Sequence, residues 1–441
     1  MFRALWVLFL LGAIAITTMW LADHPGQVSV NWHGYIVETS AAVVVGLMAI
    51  CFALTAIIYR LWILMSGVPA EISWKLGEGR RRQGYLALSR GMVALAAGDS
   101  DEANRQAGYA NNLLEEPSLT LLLSAQSAQL NGDEDSACKF FTKMLENPDT
   151  EFLGLRGLLN QATKKGDSSQ ALEWIRRAYQ LKPKSDWVFR TMFDLACRVG
   201  LWNEAYDVIG TAIRKKLVDS LEAKHLKAVL NHQMSIEAEL SGDNEKALKL
   251  SKRAVVEEPG FIPAQIHLAY LFMSSGKKDQ AIKVLETAWA IRPHPEIVSA
   301  YWPLSDASNA LSRMKVANKL AEINPKNNVT KLLLAKSAFD AELWGIARKN
   351  LEEIGAADEP VTNNYCQLMA QLEEAENSDM IASREWLVRA ASAEADPAWV
   401  CEDCANVADV WSALCGTCSG FDKLQWRCPS RISSLGALKE H

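Results

Sequence analysis

Two apolar runs open the chain, Ala4–Leu21 and Ala41–Tyr59, and neither contains a charge. At ~1.5 Å per residue each reaches across a hydrocarbon layer ~30 Å thick, so the pattern predicts two membrane helices. The first run lacks a small-x-small cleavage pattern and a second span follows closely, which argues against a removed signal peptide. Between the spans the period changes. Val28, Val30 and Trp32 alternate with polar residues, then His33-Gly34, then Tyr35 and Val37 alternate again. This predicts a short β-hairpin with a two-residue turn, and His33 is read as a turn residue rather than a ligand.

From Gly84 to Pro397 apolar residues recur with helical period, and the pattern itself repeats. Gly98, Gly132, Gly166 and Gly200 stand 34 residues apart, as do Gly242 and Gly276. That is the tetratricopeptide period. Five residues after each glycine comes Ala103, Ala137, Ala171, Ala205, Ala247 or Ala281. Seven further on stand Ala110, Ala178, Ala212, Ala254 and Ala288, with Met144 the exception. Small residues at i and i+7 share a helix face and let a neighbouring helix approach closely. Pro183, Pro259 and Pro293 then stop the second helix of each pair. An α-solenoid of about eight or nine pairs is expected, offering a concave groove.

The register also breaks. Seven residues before the glycine the residue is small at Gly91, Ala125, Ser235 and Ala269 but large at Leu159 and Phe193, and the step from Gly200 to Gly242 is eight residues too long. An extension near Lys215–Ala223 is expected there. In the most regular pair, Ile266, Tyr270 and Met273 follow i, i+4, i+7 and are expected to line the groove, with Leu268 and Phe272 packed inside.

Near the C-terminus Cys401, Cys404, Cys415 and Cys418 form two C-x-x-C pairs. Each such turn aims two sulfurs at one point, and four thiolates in tetrahedral array suit structural zinc at ~2.3 Å, with iron as the alternative. Trp399, Trp411, Phe421 and Trp426 are expected to supply the small apolar core of this knuckle, and the knuckle to cap or orient the end of the solenoid. Cys428 is a spare thiol. The expected organisation is thus an all-α chain: a membrane hairpin over 1–65, a basic juxtamembrane linker over 66–83, the solenoid over 84–397, a four-cysteine knuckle over 398–430 and a tail over 431–441.

Charge adds direction. The 441-residue chain carries 46 Lys+Arg against 52 Asp+Glu, a net charge of −6, which argues against a general nucleic-acid surface. Arg3, Arg60, Lys75, Arg80, Arg81 and Arg82 flank the spans on the outside, whereas residues 22–40 hold no Lys or Arg. By the positive-inside rule both termini and the repeats face the cytoplasm of a bacterial inner membrane. The loop between the spans is also free of cysteine, as a reducing location for the thiols would require.

The segment "WLADHPGQVSVNWHGYIVETS" between the spans and "RGMVALAAGDSDEANRQAGYA" at the start of the repeats resemble the N-terminal region of the HemY family of bacterial inner-membrane proteins. That resemblance implies a non-enzymatic membrane scaffold supporting the late, protoporphyrin-forming steps of haem biosynthesis, with tetrapyrrole enzymes as protein partners. The cysteine-rich tail is similar to that of alphaproteobacterial members, and also to the rubredoxin-like tail of lipopolysaccharide assembly protein B, which implies an alternative role as adaptor for a membrane protease or envelope-assembly factor. In such knuckles a Gly often follows the second Cys; Ala405 and Ser419 stand there instead, with Gly420 one residue later. Whether haem itself binds is left open by these residues.

An enzyme is not expected. No G-x-G-x-x-G follows a strand, and there is no phosphate-binding G-x-x-x-x-G-K-[ST], no H-E-x-x-H and no G-x-S-x-G. Acidic runs such as Leu372–Asp379 read as solvated helix faces.

Overall fold

A computed structural model describes residues 26–430 except 34, 115, 116, 306 and 357–360, with isolated positions upstream. The first expected span, 4–21, lies almost wholly outside the described residues, as does the tail 431–441. The molecule divides into two units, 1–133 and 134–441.

In the first unit β1 (Gln27–Trp32) and β2 (Tyr35–Ser40) pair antiparallel with Trp32 opposite Tyr35. His33 takes φ 54°, the left-handed conformation that a two-residue hairpin turn demands. Helix α1 (Ala41–Ala97) then runs for 57 residues without a break. Its first part, Ala41–Ile63, is long and apolar enough to cross a membrane, and none of it is buried. Where the charge pattern suggested a linker over 66–83, the backbone is helical. The helix continues through Gly67, Pro69, Gly77 and Gly79, residues that ordinarily weaken a helix interior, and ends at Gly98, whose φ is 79°. Helices α2 (Ser100–Leu113) and α3 (Pro117–Leu130) complete this unit.

The second unit opens with α4 (Glu134–Met144) and continues as seven consecutive helix pairs among the described residues. These are α5/α6 (Pro148–Lys164, Ser168–Leu181), α7/α8 (Asp186–Arg198, Trp202–Arg214), α9/α10 (Ser220–Leu240, Asn244–Glu257) and α11/α12 (Ile262–Ser274, Lys278–Ile291). They are followed by α13/α14 (Pro295–Tyr301, Ala310–Ile323), α15/α16 (Asn328–Asp340, Trp344–Gly355) and α17/α18 (Asn363–Asn377, Met380–Ser392).

One local device builds the regular pairs. All six periodic glycines have φ between 72° and 83°, open to residues without a Cβ at little cost. The next residue's N–H bonds back to the first helix, as Asp167 N to Ala162 O at 3.0 Å, and its carboxylate then caps the second helix, as Asp167 Oδ1 accepts from Gln170 N at 2.9 Å. Asp99 and Asp243 do the same. The periodic alanines, and Met144 in their register, are all at most 1% exposed. These are the contacts at which helix meets helix, so a larger side chain there would force the pair apart.

The eight surplus residues are spent on one helix. α9 has 21 residues where α11 has 13, extending the first helix of its pair at the N-terminal end.

Candidate metal centre and its docking on the repeats

Strands β3 (Ala398–Cys401), β4 (Val407–Ala408) and β5 (Leu424–Arg427) form a small antiparallel sheet in the order β4-β3-β5. On it stand two turns of one design, fourteen residues apart in sequence. Ala405 N donates to Cys401 O at 3.0 Å, and Cys401 N donates to Asn406 O at 2.8 Å. In the second turn Ser419 N donates to Cys415 O at 2.8 Å and Cys415 N to Gly420 O at 3.0 Å. Ala405 and Ser419 sit at φ 56° and 55°, so both non-glycine residues accept the left-handed conformation that Gly often supplies there. Gly420 is needed for space instead. A Cβ would come within 3.0 Å of both the Lys423 side chain and Asp403 Oδ2, and within 3.3 Å of Cys418 Sγ.

The two turns converge. All four Sγ atoms of Cys401, Cys404, Cys415 and Cys418 lie within 4.8 Å of one another, with Cys401···Cys418 at 3.7 Å and Cys404···Cys415 at 3.6 Å. Thiolates ~2.3 Å from a central ion stand about 3.8 Å apart in a tetrahedron, so the donor set fits one metal ion with no disulfide in competition. Burial pushes the Cys415 thiol up, but N–H donors from Cys418 and Thr417 outweigh it and bring it down to about 7. A thiol held there gives up its proton readily to a metal.

The knuckle does not cap the end of the solenoid. Its residues Trp399, Trp411, Phe421 and Leu424 join the buried cluster of the middle helix pairs, while the cluster around α15–α18 contains no knuckle residue among those described. Phe421 meets the Phe193 ring edge-on at 5.3 Å and the Trp202 ring at 6.3 Å. Trp411 lies 4.9 Å from Phe261 and 5.5 Å from His232; Trp426 lies 4.3 Å from His294. The Trp399 indole N–H donates to Glu296 at 2.6 Å. Thus the four aromatic residues expected to form the knuckle's own core mostly bind it to the repeats. So small a sheet cannot bury them unaided, and the middle pairs supply the missing apolar surface.

An ion bridge closes the same seam. His225, on the extension of α9, places Nε2 2.5 Å from Asp422 Oδ2 of the knuckle, and its Nδ1 contacts Glu258. Asp422 first, then Glu258, hold the imidazolium up at about 10 against the opposing effect of burial. The other seam histidines go the opposite way. Burial lowers His232 to about 3 and His294 to about 4, with Arg292 adding to the effect at His294. Two neutral imidazoles, His232 and His294, and one imidazolium therefore face the knuckle.

Both sequence irregularities find their use here. Phe193, large where other pairs are small, receives Phe421, and the α9 extension carries His225. Sequence reasoning noted both breaks without linking either to the cysteines, because the aromatic spacing of the knuckle gives no hint of its partner surface. Of the expected groove residues, Tyr270 is 52% and Met273 37% exposed, Ile266 is half-buried against the next core cluster, and Leu268 and Phe272 are buried.

Architecture and site together define a membrane-associated tetratricopeptide repeat protein with a four-cysteine module. Residues 26–132 match the HemY protein N-terminus family model, and residues 239–301 match a tetratricopeptide repeat model. The probable magnetosome protein Mms48 of Magnetospirillum gryphiswaldense is 27% identical over 96% of this chain and 93% of its own length. Protein HemY of Escherichia coli K12 is 23% identical over 50% of this chain, which spans 55% of that relative. Among solved structures, a crystal structure of MamA is similar with 19% identity, covering 37% of this chain and 91% of that one at a TM-score of 0.25.

Proposed function

We propose that the protein is a non-enzymatic inner-membrane adaptor that supports haem biosynthesis by gathering soluble tetrapyrrole enzymes at the bilayer. The observation that carries this reading is α1: one helix of 57 residues joins an apolar span to the first repeat, so the first repeat follows the membrane segment without an intervening coil. Holding consecutive enzymes at one surface raises their effective concentration and limits the escape of reactive intermediates. The match to the HemY N-terminal model and the similarity to E. coli HemY support the pathway. Both termini and the repeats face the cytoplasm in this reading, on the side of the basic flanks.

Partners are captured on the face carrying Tyr270 and Met273, with Ile266 at its base. The four cysteines hold structural zinc, a closed coordination shell with no position for substrate. When bound, the ion ties the two turns together and so fixes the aromatic face that docks on the repeats.

A second reading, an adaptor that presents clients to a membrane protease, is favoured by the knuckle's similarity to the tail of lipopolysaccharide assembly protein B. Crosslinking in intact membranes with mass spectrometry of the captured proteins separates the two. Tetrapyrrole enzymes among the captured proteins, with porphyrin accumulating in a deletion strain, are expected. A changed level of a lipopolysaccharide enzyme with normal porphyrins would replace the first reading by the second.

A further inference from the structure

Helix α9 has a second face that the knuckle does not use. Eleven residues before the turn glycine, the second unit places Leu155, Phe189 and Gln265 in successive first helices, but Asn231 in α9. Leu155 and Phe189 fill the interior, and Gln265 donates to Pro259 O at 2.8 Å. Asn231 does neither. It is shorter than its counterparts and only 1% exposed, and its amide nitrogen has no hydrogen-bond partner. A buried donor left unpaired is costly, and native interiors rarely keep one unless something else satisfies it.

That side chain lines a cavity of about 370 Å³. Asn231, Met234 and Ala238 line one side of it and share a single face of α9, with Ser241 just past the end of that helix. Met234 and Leu250 give it an apolar floor; Lys246 and Arg253 bring two cations to its rim, and neither pairs with a carboxylate among the described residues. The lining also holds one acid, Glu237, which accepts the Trp202 indole N–H at 2.5 Å, so the two cations face a single carboxylate. What remains unsatisfied is a buried amide donor beneath two cationic side chains, above an apolar surface.

We infer that this cavity is a binding site for a small carboxylate-bearing molecule, whose carboxylate accepts from Asn231 and meets Arg253 and Lys246 while its carbon skeleton lies on Met234 and Leu250. A neutral amide of the same shape lacks the charge that the two cations recognise, and a cation would be repelled by them. The site is separate from the partner face and from the four cysteines.

The test uses the full-length protein in detergent micelles, with glutarate as the probe and glutaramide as its uncharged match. Glutarate is expected to raise the melting temperature saturably, with a midpoint in the millimolar range (about −4 kcal/mol of binding) or tighter, while glutaramide leaves it unchanged. Asn231→Leu, which restores the residue type that the register carries at Leu155, and Arg253→Gln should each abolish the glutarate response. Arg253→Gln changes an exposed side chain and decides the matter alone if Asn231→Leu does not fold. The inference is overturned if the wild-type protein shows no saturable response, if glutaramide acts equally, or if the response survives in Arg253→Gln.

Discussion

The pairs α9/α10 and α11/α12 are neighbours written in one register, yet they do different work. In α11 the outward positions hold Tyr270 and Met273, both exposed. In α9 the first helix is eight residues longer, and His225 and His232 on it are covered by the chain's own knuckle. The alanines at the pair interfaces are equally buried in both. A repeat therefore preserves what stacks it, and its departures from register mark where it has taken on a specific contact.

The comparison breaks most completely if the knuckle loses its metal. Cys404→Ser or Cys415→Ser should remove the ion, and with it stabilisation on the order of 10 kcal/mol for the module. Hydrogen exchange should then rise across 398–428 and over the covered residues of α7, α8, α9, Phe261 and the start of α13, while α12 and the pairs after α13/α14 keep their protection. Purified wild-type protein should carry about one zinc per chain, and the variants none. Native protein free of metal, with all four thiols alkylated at once, would sink the proposal.

A smaller break separates docking from metal binding. Trp411→Ala takes a ring from between Phe261 and His232 and should destabilise the docked knuckle by about 3–5 kcal/mol while metal content stays unchanged. Equal loss of metal in this variant would mean that the aromatic residues serve the knuckle's own core after all.

Much of this architecture was legible in the sequence. The hairpin, the repeat period, the turn glycines and the four cysteines all rest on local rules, because turn conformation, helix packing and metal ligation each demand particular residues at fixed spacing. The place where the knuckle docks was not legible. Trp411 and Phe261 stand 150 positions apart, and nothing in the spacing of either says that they meet. Terminal capping was the simplest expectation for a module that follows the last pair, and long-range packing overrode it. The G-D stop-and-cap signal at Gly98-Asp99, Gly132-Asp133, Gly166-Asp167 and Gly242-Asp243 is equally local, a left-handed stop followed by a capping carboxylate.

Acidity sharpens the contrast, since α9 is ringed by histidines and the exposed face of α11 has none. His225 is held up at about 10 when docked, so its contribution is full below ~6.5, its free value, and is lost as pH rises towards 10. His232 and His294, which meet the knuckle, are held down at about 3 and 4, so their contribution is present above ~6.5 and is lost as pH falls below it. Docking should therefore be firmest near pH 6.5–7 and weaken on both sides, as read by the fluorescence of Trp411 and Trp426. The alkaline limb should be shallow, because His225 is a third exposed and solvent screens its pairs. His225→Gln should flatten that limb and leave the acid limb in place; a profile unchanged by the substitution would exclude the bridge from docking.

The smallest expected effect on stability belongs to the other side of the comparison. Tyr270 touches solvent over half its surface, so Tyr270→Glu removes little buried area, and the melting curve should move by no more than about 0.5 kcal/mol. If the face of α11 is where partners dock, the same substitution places a charge in the middle of an apolar contact, and capture in membrane crosslinking should fall several-fold, since aromatic anchors carry a large share of interface energy. Met273→Glu, one turn further along the helix, should act alike. The two measurements together decide what the face is for: a lowered melting point would make Tyr270 part of the packing of the solenoid, and an unchanged melting point with unchanged capture would move the partner surface away from α11.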